Sequence, residues 1–197
     1  QAAPRPVAEN MDIRDTVRIM LANIARDGEA AVLGYARTLD RWEGDIVLSD
    51  TARAAAIARV PETVRDDIRF AHNNIRRFAE AQKATLLDFE TELMAGHVVG
   101  QKQIPVASVG CYAPGGRYAH VASALMTVTT ARVAGVAHIT AASPPRPGGI
   151  PDAIVYAMDL AGAHTILNLG GVQAVAAMAE GLFGVPPADV LAGPGNA

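Results

Sequence analysis

The stretch VASVGCYAPGGRYAHVASALMTVTTARVAGVAHITAASPP (106–145) sets the fold. An apolar run, VASVGCY (106–112), reads as a strand and ends in the glycine turn that GGR opens. A helical stretch follows over 121–134 and stops at Gly135, where glycine suits a helix end. HITAAS (138–143) is a second apolar run of strand length, closed by the loop PPRPGG. Downstream the rhythm repeats. Residues 151–161 read as a helix ending at Gly162, TILNL (165–169) as a strand, GG as a turn, 172–181 as a helix, and DVLAG (189–193) as a last strand running into GPGN. Strands that alternate with helices of 10–15 residues predict βαβ crossovers and a parallel sheet with helices on both faces.

Upstream the character changes. Residues 1–100 hold 29 of the 37 charged side chains, which predicts solvated helices there and a region buried on several sides beyond. Ile13, Val17, Met20, Leu21 and Ile24 fall on one face of a helix that Gly28 would stop. Val32, Tyr35, Ala36 and Leu39 mark a second, short helix. Pro61 suits a first helical turn, and Val64, Ile68, Ala71, Ile75 and Phe78 then line one stripe of a longer helix. The fold class expected is α/β: a helical segment, 1–104, forming part of a first domain, then a Rossmann-like parallel sheet over 105–197, incomplete at its C-terminal end.

Composition narrows the function. The net charge is −3, and Lys and Arg are interleaved with Asp and Glu, so there is no basic stripe for nucleic acid. No apolar run reaches the ~18 residues of a membrane span. The opening QAAPRPVAENMDIR lacks the apolar core of a secretory signal. A single cysteine, Cys111, gives no internal disulfide and fits a reducing compartment. A soluble, cytoplasmic protein is expected, with no nucleic-acid and no membrane partner.

Glycine-rich turns follow three strand ends: APGG (113–116), GG (170–171) and GPGN (193–196). At the carboxyl edge of such a sheet, glycine lets backbone N–H groups approach a phosphate, although turns need glycine in any case. The fingerprint GxGxxG is missing, so a nucleotide would not be held in the standard manner. Tyr112, Arg117, Gln173 and Asn196 stand beside these turns, as ligand contacts or as ordinary capping residues. The five histidines, His72, His97, His120, His138 and His164, have no partner at metal-ligand spacing. Of these, His120 alone is placed to reach a substrate. Cys111 reads as a small buried hydrophobe, since no base accompanies it.

GCYAPGGRY, LMTVTTARVAGV, SPP, LAGAHTILNLGGVQAVAA and GPGNA, in this order, resemble the histidinol dehydrogenase family. The pair VRIMLANIARDGEAAVLGYARTLD and the helix IRRFAEAQK resemble it too, so the likeness covers nearly the whole chain. It implies an NAD-dependent, zinc-requiring enzyme that oxidises a primary alcohol to a carboxylate through an aldehyde. It also implies a homodimer with intertwined subunits. The resemblance places the family's contacts to the NAD cofactor on Tyr112, Gln173 and Asn196. Its zinc ligands and its Glu–His acid/base pair come after GPGN, so this chain resembles the N-terminal part and no residue of it is assigned to metal or to catalysis.

LDRWEG, IRFAHNNIRRFAEAQKATL, SPPRPG and EGLFGVPPADVLAGPGN resemble a branch, the sulfopropanediol 3-dehydrogenases, which oxidise 2,3-dihydroxypropane-1-sulfonate to sulfolactate. Arg117 stands where histidinol enzymes usually carry a small residue. Histidinol is a cation and the sulfonate an anion, so an arginine fork suits the latter, with cofactor phosphate or solvent as the other partner open to Arg117. Oxidation of L-histidinol to L-histidine is the alternative activity. A non-catalytic nucleotide-binding or oligomerisation module is the alternative of another class.

Overall fold

The computed structural model describes residues 7–115 and 120–194, with side chains from Ile13 onward. α1 (Val7–Asp27) and α2 (Glu29–Tyr35) meet at Gly28, whose φ of 58° ends the first helix as expected. α2 runs on into one π-helical turn, Ala36–Asp40, closed by Arg41 in the left-handed region. α3 (Asp50–Arg59) and α4 (Glu62–Lys83) follow. β1 (Phe89–Met94) and β2 (His97–Gln101) form an antiparallel hairpin turning at Gly96. Neither α3 nor the hairpin was anticipated. The alternating part is as expected: β3 (Ser108–Tyr112), α5 (Val121–Ala134), β4 (His138–Ser143), α6 (Asp152–Ala161), β5 (Thr165–Asn168), α7 (Gly171–Glu180) and β6 (Val190–Ala192).

The four later strands are parallel, in the order β5-β4-β3-β6. β3, β4 and β5 are laid down consecutively, and β6 then crosses back to pair on the far side of β3. Asp189 fixes this last pairing by accepting hydrogen bonds from the Ala107 and Ser108 N–H groups, both at 2.9 Å. The opposite edge is covered by residues 46–48, which run antiparallel to β5: Leu48 N–H donates to the Ile166 carbonyl and Asn168 N–H to that of Ile46.

Alternation along the strands divides the core in two. Val109, Cys111, Ile139, Ala141 and Ile166 face α5 and α6, and α3 and α4 add Ala56, Val60 and Ile68 to that cluster. Ala142 and Leu167 face α7, joined by Ile24, Val32 and Ala36 from the first two helices. The N-terminal helices thus clothe both faces of the sheet. The α1 stripe is buried only towards its C-terminal end, at Met20 and Ile24, and Ile13 stays exposed. The α4 stripe ends on Ala79 rather than on Phe78: counting 3.6 residues per turn from Ile68 and Ile75 lands there, and Phe78 is exposed. Every residue of the hairpin is exposed. No helix among the described residues is long and apolar enough to cross a membrane.

Candidate cofactor site

β3 and β6 are adjacent in the sheet but leave it in different directions of strand order. This makes their carboxyl ends the topological switch point, where open α/β sheets bind ligands. A cleft of about 530 Å³ opens there, walled by Val17, Leu21, Tyr112, Val175, Leu191 and Gly193. Its size and apolar walls suit a small-molecule or cofactor site. Two glycines let the walls close. A methyl group on Gly110 would lie 2.5 Å from Leu191 Cδ2 and 3.0 Å from Met178 Cβ. One on Gly193 would lie 2.5 Å from the Tyr112 carbonyl oxygen, so β6 approaches β3 only because residue 193 has no side chain.

Tyr112 ends β3 on the cleft side. Its hydroxyl oxygen accepts a 3.0 Å hydrogen bond from Gly171 N–H, at the start of α7. Burial lifts its pKa above the ordinary phenol value, against the Gly171 bond and with the nearby Asp40 charge adding to the rise. It is therefore a neutral phenol near pH 7. Gln173, in the first turn of α7, is 1% exposed. Its Nε2 donates to Asp40 Oδ2 at 2.9 Å, and the same oxygen accepts from Gly170 N–H at 3.0 Å. Gln173 Oε1 is buried with no hydrogen-bond partner.

These bonds change the reading of the 170–171 turn. Its two N–H groups, expected to be open to phosphate, are already given to Asp40 and Tyr112. Asp40 is a carboxylate cap on α7 brought from far away in sequence, delivered by the π turn at the end of α2. Sequence reasoning passed over it as part of LDRWEG, because nothing local links residue 40 to residue 173.

Of the other expected site residues, Arg117 and Asn196 lie outside the described residues. His120 is exposed at the start of α5, where its carbonyl accepts from Ser123 and Ala124 N–H. Cys111 is 1% exposed, and burial pushes its thiol up to about 11, which fits a packing residue rather than a nucleophile. His138 and His164 stack with ring centroids 5.2 Å apart at the opposite ends of their strands from the cleft. Among the described residues no three His, Cys, Asp or Glu side chains converge to hold a metal.

The family model for histidinol dehydrogenase matches residues 3–197. The chain belongs to the histidinol dehydrogenase family. A histidinol dehydrogenase homolog from Ruegeria pomeroyi is 60% identical over 192 residues, 97% of this chain and 44% of that protein. A sulfopropanediol 3-dehydrogenase from the same organism is 59% identical over 186 residues, 94% of this chain and 43% of that protein. A histidinol dehydrogenase from Methanosarcina mazei is 40% identical over 187 residues, 94% of this chain and 43% of that one. The crystal structure of histidinol dehydrogenase from Elizabethkingia anophelis superposes with a TM-score of 0.87 at 31% identity, covering all of this chain and 44% of that one. The chain thus spans less than half the length of the histidinol dehydrogenase relatives it matches.

Proposed function

We propose that the protein is an NAD-dependent, zinc-requiring dehydrogenase that oxidises a primary alcohol to a carboxylate in two steps, with 2,3-dihydroxypropane-1-sulfonate as its substrate. The observation that carries the cofactor half of this reading is the buried, unpartnered Gln173 Oε1 next to Gly171, a residue that lines the switch-point cleft and bonds the Tyr112 hydroxyl there. A buried acceptor without a donor costs about 1–3 kcal/mol, and a cofactor hydrogen bond relieves it. Tyr112, Gln173 and Asn196 hold the cofactor in this reading. Tyr112, already accepting from Gly171, turns its O–H into the cleft as a donor. Bound nicotinamide supplies the hydride acceptor for each oxidation. The apolar walls, Val17, Leu21 and Val175, keep water from that part of the cleft.

The substrate half rests on likeness: 59% identity to a sulfopropanediol 3-dehydrogenase against 40% to a histidinol dehydrogenase. Arg117 follows the PGG turn and pairs with the sulfonate, and His120 stands at the same end of α5. The zinc ligands and the Glu–His pair belong to the portion of the relatives that the chain does not span. A cytoplasmic homodimer completes the reading, supported by a hairpin whose Phe89, Leu93 and Val98 are exposed and need cover. L-histidinol oxidation is the second reading, favoured by the family match and by the histidinol dehydrogenases of Methanosarcina mazei and Elizabethkingia anophelis.

Steady-state NADH formation by the full-length enzyme tests the choice. Sulfopropanediol is expected to be turned over with a kcat/KM at least about a hundredfold above that for histidinol, as a charge-reversed substrate demands. Equal or better use of histidinol overturns the substrate assignment.

A further inference from the structure

Asp40 is half-buried at the end of the π turn, and its Oδ2 takes both the Gly170 N–H and the Gln173 amide. A carboxylate can only accept, so the nitrogen of the Gln173 amide must face it. The amide oxygen is thereby turned the other way, buried and unpartnered, against the Gly171 backbone at the mouth of α7. The Asp40 charge also occupies the end of α7 where helix N–H groups would otherwise draw an anion. Gly170 must be glycine for this contact, since a methyl there would lie 2.6 Å from Asp40 Oδ1.

We infer that Asp40 is a positioning residue of this site: it locks Gln173 with its acceptor turned towards Gly171 at the cleft wall, so that α7 receives a neutral hydrogen-bond donor of the cofactor rather than a phosphate oxygen. The inference rests on the cofactor reading above. The donor is a ribose hydroxyl or the nicotinamide carboxamide, and both present N–H or O–H to an amide oxygen. Asp40 acts on the cofactor through the Gln173 amide that it orients, so its effect on the cofactor should vanish when the Gln173 side chain is gone.

Calorimetric titration of the full-length enzyme with NAD tests this. Gln173→Ala and Asp40→Ala should each weaken NAD about tenfold, the scale of one lost hydrogen bond, and the double variant should be no weaker than Gln173→Ala. Additive losses mean that Asp40 acts as general scaffolding and overturn the inference. Tighter NAD binding by Asp40→Ala also overturns it, since only a phosphate at α7 gains from removing the charge. Unchanged affinity in Gln173→Ala overturns the cofactor reading itself. Titration with ADP-ribose separates the donors: Asp40→Ala weakens it as much as NAD for a ribose hydroxyl, and not at all for the carboxamide.

Should Asp40→Ala fail to fold, the exchanged pair carries the test. Gln173→Glu sets two carboxylates together and loses NAD affinity. Adding Asp40→Asn restores a donor–acceptor pair, in which the new amide at position 40 donates and a carboxylate oxygen at position 173 faces out. Recovery to within about threefold of the wild type is expected, and no recovery over Gln173→Glu overturns the positioning role.

Discussion

On one face of the sheet, α5 and α6 bury Leu125, Val128, Ile154 and Met158 against the strands, and α3 and α4 lie over them. That face is fastened from outside: Arg53 bonds Asp159 at 2.6 Å and the Ala163 carbonyl at 2.8 Å, and Nε and Nη2 of Arg59 donate to the two oxygens of Asp152. On the other face, α7 brings small side chains, Ala174, Ala176 and Ala177, and its first turn is held by long-range polar contacts from Tyr112 and Asp40. The first face fills its volume with side chains. The second keeps room at one end, where Gly110, Gly171 and Gly193 line the cleft. Stability and ligand binding are therefore loaded onto opposite sides of the same strands.

The strongest test of that division is Leu125→Ala in the full-length protein. Leu125 is fully buried, so the cavity should cost about 2–5 kcal/mol in denaturant unfolding. The KM for NAD, measured well below the melting temperature, should stay where it was. A KM that moves in step with stability would show that the two faces are coupled.

Gly193→Ala probes the second face. The added methyl meets the Tyr112 backbone, and overpacking of this kind costs about 1–3 kcal/mol. That cost should appear mainly as weaker NAD binding, because β6 and its turn are driven off β3 beside the cleft. Loss of stability with unchanged NAD affinity would place the cofactor elsewhere.

The smallest effect is expected at the surface. Arg76 and Glu80 form an i,i+4 pair at 2.8 Å on α4, both about half-exposed. Arg76→Ala should change stability by only about 0.3–0.5 kcal/mol and leave NAD kinetics untouched. A larger loss would mark this side of α4 as an interface, sharpening the account of where further protein docks.

The sheet was legible because β3, β4 and β5 are largely buried and read as continuous apolar runs between glycines. The turn that leads into α7 was legible for a related reason: its paired glycines are a local signature. α3 was not, because ARAAAIAR carries little periodicity, although Ser49 stands in N-cap position and accepts from Ala52 N–H. The hairpin was hidden in plain alternation, Phe89, Thr91 and Leu93 against Glu90 and Glu92, with Gly96 at its turn. Phe78 was placed on the buried stripe by its chemistry, and the helical period put Ala79 there instead. Asp40 had no local signal at all. Its partners lie 130 and 133 residues away, and only the folded chain brings them together.

The strand order also sets a sequence of events in time. β3, β4 and β5 can assemble as each emerges, through neighbouring crossovers, whereas β6 must return across 81 residues to reach Ser108. Until Asp189 arrives, Val109, Gly110 and Cys111 present an unpaired apolar edge. Closing so long a loop is slow relative to local pairing. The same edge that finally walls the cleft is thus the last to be covered in folding. A newly made chain is most prone to join another chain through the very strand that later borders its cofactor site.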